Sequence, residues 1–107
     1  MAEKDEILFE VETPLGFSVR TTKEYWRVIT EEKHSAMINK LEEVQLTLME
    51  PDEIRQSKID PRIYLFYRPL RPRRWICAVA KSLNGTGFLV TTYVTNAIKE
   101  GERIWSK

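Results

Sequence analysis

The stretch that decides the fold is "RWICAVAKSLNGTGFLVTTYVT", residues 74–95. Its first part, "RWICAVAKS", is apolar at nearly every position, as expected of a central strand. The "LNGTG" segment that follows favours a hairpin turn, because Asn-Gly readily takes positive φ. The last part, "FLVTTYVT", is rich in the branched and aromatic side chains that suit a pleated surface. The stretch therefore predicts two antiparallel strands joined by a tight turn.

The chain before this stretch begins with a second hairpin and continues into helices. "ILFEVET", "PLG" and "FSVRT" predict a strand, a turn and a return strand over residues 7–20. Thr21 and Glu24 match a capping box, in which the two side chains satisfy free amides at a helix start. The first helix is expected over about residues 23–32.

A second helix and two further strands complete the predicted elements. Ser35 is a plausible N-cap for a helix that runs to about Met49 and ends at Pro51. "EIRQSK" and "RIYLFYR" are expected to be strands. "NAIKEGERIW" is expected to form a helical turn that ends at Gly101, with Trp105 packing back on the core.

This order of elements predicts an α+β fold. An N-terminal β-hairpin and two helices would pack on one face of a roughly four-stranded antiparallel sheet, which leaves the other face to water or a ligand. At 107 residues the chain is expected to form a single domain over residues 1–107, with the hairpin at 1–21 and the main body at 22–106.

Charge and cysteine content narrow the classes of function. The net charge is only +1, but residues 1–12 carry five acidic side chains and one lysine, while residues 68–81 carry five basic side chains and no acidic one. Such a basic strip can attract phosphates. The single cysteine, Cys77, cannot form an internal disulfide, and no zinc ligand set is present. With no apolar stretch of membrane-spanning length and no signal-like N-terminus, we expect a cytoplasmic protein without membrane contact.

Alternation along the last long strand sorts its side chains into two faces. Phe88, Val90 and Thr92 form the better core face. Leu89, Thr91, Tyr93 and Thr95 fall on the other side, where they would place hydroxyl groups in a row. Lys81, at the end of the preceding strand, would add an ammonium group if the hairpin register places it on that side.

Such a face would suit cleavage of an RNA backbone. A histidine can move protons near neutral pH, and His34 is the only histidine. A lysine can stabilise the charge that develops at phosphorus, and hydroxyls can orient the phosphate. We therefore expect His34, Lys81, Thr91 and Tyr93 to be the catalytic residues. This chemistry needs no metal, and no cofactor is expected.

Several other side chains are candidates for substrate contact. Tyr67 could stack on a splayed base, and arginines of the Pro-rich "RPLRPRR" segment could contact phosphates. The full set of substrate-binding candidates is Arg55, Ser57, Tyr67, Arg68, Arg73, Arg74 and Thr95. Each has a structural alternative: helix capping for His34, a solvated strand end for Lys81, and ordinary strand packing or loop solvation for the others.

The ordered features resemble the barnase–EndoU–colicin–RelE-like superfamily of small phage- and toxin-associated nuclease-like domains. The matching positions are Lys33, His34, Leu48, Pro51, Ile54, Lys81, Thr91, Tyr93, Ile98, Lys99, Gly101 and Trp105. The resemblance covers about residues 22–106. It implies that His34 is a general acid or base, that Lys81 stabilises charge, and that Thr91 and Tyr93 contact phosphate or ribose. Ser35 departs from the motif, which often has proline after the histidine.

The expected function is therefore a metal-independent endoribonuclease that works by 2′-hydroxyl attack, as a toxin or host-interference factor. RNA is the expected partner, and an inhibitory, antitoxin-like protein is a second candidate partner. The alternative is a non-catalytic nucleic-acid- or protein-binding module on the same fold. A third alternative is a scaffold subunit that pairs through "EIRQSK", residues 53–58.

Overall fold

A computed structural model describes residues 6–107, which form one mixed β-sheet flanked by short helices. The seven strands of this part of the chain are β1 (Ile7–Glu12), β2 (Ser18–Thr22), β3 (Glu53–Gln56), β4 (Ile63–Arg71), β5 (Arg74–Leu83), β6 (Thr86–Thr95) and β7 (Glu102–Ser106). Their order across the sheet is β1-β2-β6-β5-β4-β3-β7. The first five residues of the predicted domain 1–107, including acidic Glu3 and Asp5, lie outside the described residues.

The predicted four-stranded antiparallel sheet with two packed helices is wrong for two reasons. First, the N-terminal hairpin joins the main sheet, because Ser18–Arg20 of β2 pair in parallel with Thr86–Phe88 of β6. Second, residues 96–101, where a helical turn was predicted, form an irregular segment, and Glu102–Ser106 after it form β7, which pairs antiparallel with β3. One edge of the short strand β3 does not pair with β4, and Glu102–Ser106 pair with this edge. Trp105 of the added strand packs against the core.

The helical segments are shorter than predicted. Helix α1 spans Lys23–Val28, a π-helical turn spans Ile29–Lys33, a 3-10 turn spans Ser35–Met37, and helix α2 spans Leu41–Met49. The N-cap of α1 is Thr22 and not Thr21, since the Thr22 hydroxyl accepts from the Tyr25 amide at 3.1 Å. None of these helices has the length and apolar content needed to cross a bilayer.

The main core lies between the helices and one face of the sheet. Its central contacts join Val44 and Leu48 of α2 to Phe66 of β4 and Ala78 of β5. Small alanines in the middle of the sheet let the nine-residue α2 pack closely. Thr92 is also fully buried on this face, where its hydroxyl donates to the Cys77 carbonyl at 2.8 Å.

A β-bulge in β6 changes the predicted alternation of side chains. Val79 pairs with Thr91, but the next residue, Ala80, pairs with Leu89, so that Val90 is an extra residue in β6. Leu89 is consequently buried in the main core, while Val90 and the 40% exposed Phe88, both predicted for the core face, lie on the opposite face. Thr91 and Tyr93 keep the face that alternation predicted for them.

Candidate active site

The sheet face opposite α2 carries its own apolar cluster. Tyr67 of β4, Cys77 of β5 and Tyr93 of β6 are direct cross-strand neighbours at its centre. Leu65 and Val79 lie next to them on the same face, and Ile98, from the segment after β6, packs against the cluster. The middle of this face is therefore closed by packed side chains, and a ligand can reach the face only towards its ends.

A pocket of about 410 Å³ opens at one end of the face. Its lining residues come from strands β4 and β6, from the loop that holds His34 and from the segment after β6: His34, Tyr67, Thr91, Tyr93, Thr95, Asn96, Ala97, Lys99 and Glu100. It therefore gathers the chain's only histidine with a lysine, a carboxylate, two phenols and two threonine hydroxyls.

His34 reaches the pocket because β2 pairs only with the first part of β6. Beyond Phe88 the outer edge of β6 has no strand partner among residues 6–107, and the helical segments run beside it. Tyr25 of α1 fixes this arrangement by donating from its hydroxyl to the Val90 carbonyl at 2.7 Å. The imidazole of His34 then lies 5.7 Å from the Tyr93 ring, centroid to centroid, at an interplanar angle of 42°.

The segment between β6 and β7 carries Lys99 and Glu100 and is fixed at both ends. At its start the Thr95 hydroxyl donates to the Ala97 carbonyl at 3.0 Å and accepts from the Ala97 amide at 3.3 Å. At its end the Arg55 guanidinium donates to the Gly101 carbonyl at 3.2 Å. These contacts place both charged side chains at the pocket without any long helix or strand.

Burial keeps the thiol of Cys77 and the phenols of Tyr67 and Tyr93 neutral. Desolvation raises the pKa of the Cys77 thiol to about 12. Burial also raises the pKa of Tyr67 and of Tyr93 far above the ordinary phenol value, and the neighbouring Cys77 adds to both shifts. Near neutral pH both tyrosines therefore keep their protons; Tyr67 is only 2% exposed, too buried to stack on a base as predicted, and Tyr93, which is half-buried, is the phenol that can donate to a ligand.

Thr91 contributes an unsatisfied group to the pocket wall. Its hydroxyl oxygen is buried and has no hydrogen-bond partner among residues 6–107. A buried hydroxyl without a partner is costly, so Thr91 is a destabilising position in the wall of the pocket. Thr91 lies beside Tyr93 on the same side of β6.

The structure brings together five of the side chains predicted from sequence. Three of the predicted catalytic residues, His34, Thr91 and Tyr93, line the pocket with Tyr67 and Thr95. Lys81 lies outside this lining, although it is on the same face. It is two positions along β5 from Val79, the partner of the pocket residue Thr91, which corresponds to about 7 Å of strand.

The other predicted substrate contacts lie elsewhere and have local roles. Arg55 forms a salt bridge to Glu53 at 2.6 Å, and the Ser57 hydroxyl accepts from the Ile59 and Asp60 amides in the β3–β4 turn. Arg68 donates to the Glu50 carbonyl at 3.2 Å on the helix side. Arg73 and Arg74 form the exposed β4–β5 turn, which ends next to the Trp75–Thr95 pair.

Lys99, Glu100 and Asn96 are pocket residues that were not predicted as site residues. Lys99 stood in the "IK.G..W" part of the resemblance, but no role was attached to it. The signal that could have indicated Lys99 is its position in the sequence. It lies between the hydroxyl-rich strand and Gly101, where the chain has to turn back at the end of the sheet. Among residues 6–107 no group of three or more His, Cys, Asp or Glu side chains could hold a metal ion.

Comparison with known proteins gives no identification. No protein-family model, curated protein or solved structure matches the chain. The nuclease-like superfamily therefore stays a prediction from sequence motifs.

Proposed function

We propose that the protein is a metal-independent endoribonuclease. The observation that carries the proposal is the pocket that joins His34, Lys99 and Glu100 with the hydroxyls of Thr91 and Tyr93. Proton donors and acceptors, a fixed positive charge and neutral hydrogen-bond donors are the groups that phosphodiester transesterification requires.

In the proposed reaction the 2′-oxygen of a ribose attacks the adjacent phosphorus while the bond from phosphorus to the 5′-oxygen breaks. The products are a 2′,3′-cyclic phosphate and a 5′-hydroxyl end. His34 and Glu100 are the two groups that exchange protons, one with the 2′-hydroxyl and the other with the leaving oxygen. Lys99 takes the charge-stabilising role that the sequence assigned to Lys81, because Lys99 is the lysine of the pocket.

The test is cleavage of RNA by the purified protein in the presence of a chelator. We expect products with cyclic phosphate ends, and a substrate with a single 2′-deoxyribose at the cleavage site should resist. His34→Ala and Lys99→Ala should each lower the rate about 100-fold or more, whereas the exposed Lys58→Ala should leave it unchanged. Equal rates for all three variants, or no cleavage of any RNA by the wild-type protein, would refute the proposal.

A non-catalytic binding module is the second candidate, and the near-neutral net charge of +1 favours it. It predicts RNA binding that weakens with salt, without any cleavage. The same purified protein and RNA distinguish the two candidates, because only the first produces cyclic phosphate ends.

We propose further that the enzyme acts in the cytoplasm as a toxin or host-interference factor. A reduced, buried Cys77 suits a reducing compartment, where RNA is also the abundant substrate. An inhibitory protein partner with an acidic surface could cover the pocket and the neighbouring Arg73–Arg74 turn by charge complementarity.

A further inference from the structure

A second group of side chains lies on the same sheet face as the pocket, towards the β5–β6 turn. Lys81 of β5 pairs with Phe88 of β6, and Phe88 pairs with Arg20 of β2. The three residues thus lie side by side on three adjacent strands, and the aromatic ring is between two cationic side chains. We call Arg20, Phe88 and Lys81 the aromatic platform.

The Phe88 ring is open to solvent, with 40% of the residue exposed, although it lies in the middle of a sheet and not at its edge. A singly exposed apolar side chain is common on protein surfaces, so the exposure of Phe88 alone does not define a site. What distinguishes Phe88 is its position between two cationic side chains on adjacent strands.

The two cations of the platform are available to a ligand. Neither Arg20 nor Lys81 forms a salt bridge with a carboxylate of residues 6–107; Arg20 donates only to the Thr86 hydroxyl, at 3.4 Å. Glu10 of β1 is opposite Arg20 in the sheet, but its carboxylate accepts from the Ser18 hydroxyl.

Asp60 is the other acidic group near the platform. Its pKa is lowered chiefly by its hydrogen bonds with Arg62, and the charge of Lys81 contributes only the smallest part of the shift. Asp60 is thus engaged by Arg62, and the ammonium group of Lys81 stays free to contact an anion.

A cleft of about 270 Å³ opens beside the ring, where β2 and β6 diverge. Its lining is Arg20, Thr21, Thr22, Tyr25, Phe88 and Leu89. The hydroxyl of Thr21, a residue only 4% exposed, is buried in this wall without a hydrogen-bond partner among residues 6–107. The cleft thus joins the Phe88 ring to Arg20, while Lys81 lies on the other side of the ring, outside the cleft.

We propose that the aromatic platform is a subsite for single-stranded RNA, in which a base stacks on Phe88 and the flanking phosphates contact Arg20 and Lys81. Every base has an aromatic face, and stacking combined with cationic contacts is the usual way in which proteins hold unpaired strands. The assignment of the strand as a substrate rests on the proposed function.

The position of the platform relative to the pocket fixes the path of the strand. Phe88 precedes Thr91 by three residues on β6, a distance of at most about 10 Å, and both belong to the same face. A strand stacked on Phe88 therefore places a neighbouring nucleotide at the pocket. Lys81, which lies outside the pocket, acts in this proposal as a substrate-positioning residue.

The test measures binding without cleavage, by fluorescence anisotropy of a labelled 2′-O-methyl oligouridylate, which has no free 2′-hydroxyl. Phe88→Ala should weaken binding about ten-fold, and Phe88→Trp should preserve it, because stacking needs only an aromatic face. Ile104→Ala, which removes an exposed apolar side chain of β7, is the matched control and should bind like wild type. Arg20→Gln and Lys81→Gln should each reduce the salt dependence of binding.

The outcomes separate this proposal from the proposed function. Binding that depends on Phe88, without RNA cleavage by the wild-type protein, supports the platform and contradicts the nuclease. Cleavage with equal binding by wild type and Phe88→Ala overturns the platform alone, provided that the variant unfolds at the wild-type temperature. No binding of the oligouridylate by the wild-type protein, or Phe88-dependent binding of poly-glutamate in its place, also overturns the platform.

Discussion

Gly101 determines where the segment that carries Lys99 and Glu100 turns into β7. Its φ of 78° lies in the left-handed region, and a Cβ atom on this residue would be only 2.6 Å from the Gln56 carbonyl oxygen. Two separate restrictions thus act at one position. Backbone conformation excludes most side chains, and the close approach of β3 excludes any Cβ at all.

Gly16 makes it possible to separate these two restrictions experimentally. It has a similar φ of 89° in the β1–β2 turn, but a Cβ atom on this residue would point into open space, with no contact within 4 Å. We expect Gly16→Ala to lower the free energy of unfolding by about 1 kcal/mol and Gly101→Ala by about 3 kcal/mol or more, measured by urea denaturation. Equal losses for the two variants would mean that the contact with β3 relaxes without cost.

The face on which a side chain lies was predictable in the strands, because alternation applies there. The position of a loop side chain was not predictable, because loops have no such pattern. Thr91, Tyr93 and Thr95 were placed on one face because successive strand residues point to opposite sides. Alternation gives the face but not the position along the strand, so Lys81 was grouped with a pocket whose lining it does not join, although it is only two positions along β5 from Val79, the partner of Thr91. Lys99 was missed as a site residue because its segment has no periodicity that would fix its direction.

The bulge at Val90 controls the local structure of β6 and the attachment of α1. A bulge adds one residue without a distinctive sequence. The sequence "FLVTTYVT" therefore could not show that Leu89 lies on the core face and Val90 on the opposite face. The Tyr25 hydroxyl binds the carbonyl of this same extra residue at 2.7 Å. Helix α1 and the irregular part of β6 are therefore joined by one hydrogen bond.

Tyr25→Phe tests the contribution of that hydrogen bond. We expect a loss of about 1 kcal/mol in the free energy of unfolding, because the phenol hydroxyl is removed while the ring stays. Tyr64→Phe is the control, since the Tyr64 hydroxyl makes no side-chain hydrogen bond within residues 6–107 and its ring packs on Phe17. If His34 is held in place through α1, Tyr25→Phe should also lower the cleavage rate while Tyr64→Phe does not.

The N-terminal hairpin was predictable as two strands but not in its pairing with the main sheet, and β7 was not predicted as a strand. The predicted hairpin over residues 7–20 corresponds to β1 and β2, whose turn chemistry is local. Its parallel pairing with β6 joins residues far apart in the chain, such as Ser18 and Thr86, and leaves no local signal. For β7, the five residues Glu102–Ser106 are too few to distinguish a strand from a helical turn by pattern.

Stability of the whole molecule should fall in alkali because three buried acidic protons lie in the centre of the sheet. The pKa of Cys77 rises from its ordinary value of 9.0 to about 12 on folding, and those of Tyr67 and Tyr93 rise in the same direction. The folded state therefore holds protons that the unfolded chain releases. The stability that depends on these protons is complete below about pH 9 and is lost progressively as the pH rises towards 12.

The measurement is urea denaturation at a series of pH values from neutral to alkaline. The free energy of unfolding of the wild-type protein should decline above about pH 9, and Cys77→Ala should show a shallower decline over the first unit. Tyr93→Phe should become shallower only at higher pH, where unfolded tyrosines ionise. A flat profile for the wild-type protein would contradict the inferred burial of these groups.

The strand order places β1 and β7 at opposite margins of the sheet, six strand intervals apart, which corresponds to about 29 Å. Any polypeptide attached ahead of β1 departs from one margin, and any polypeptide attached behind β7 departs from the other. The strands that supply the pocket, β4 and β6, are both interior. A purification tag or fused domain added at one margin is thus kept apart from one added at the other.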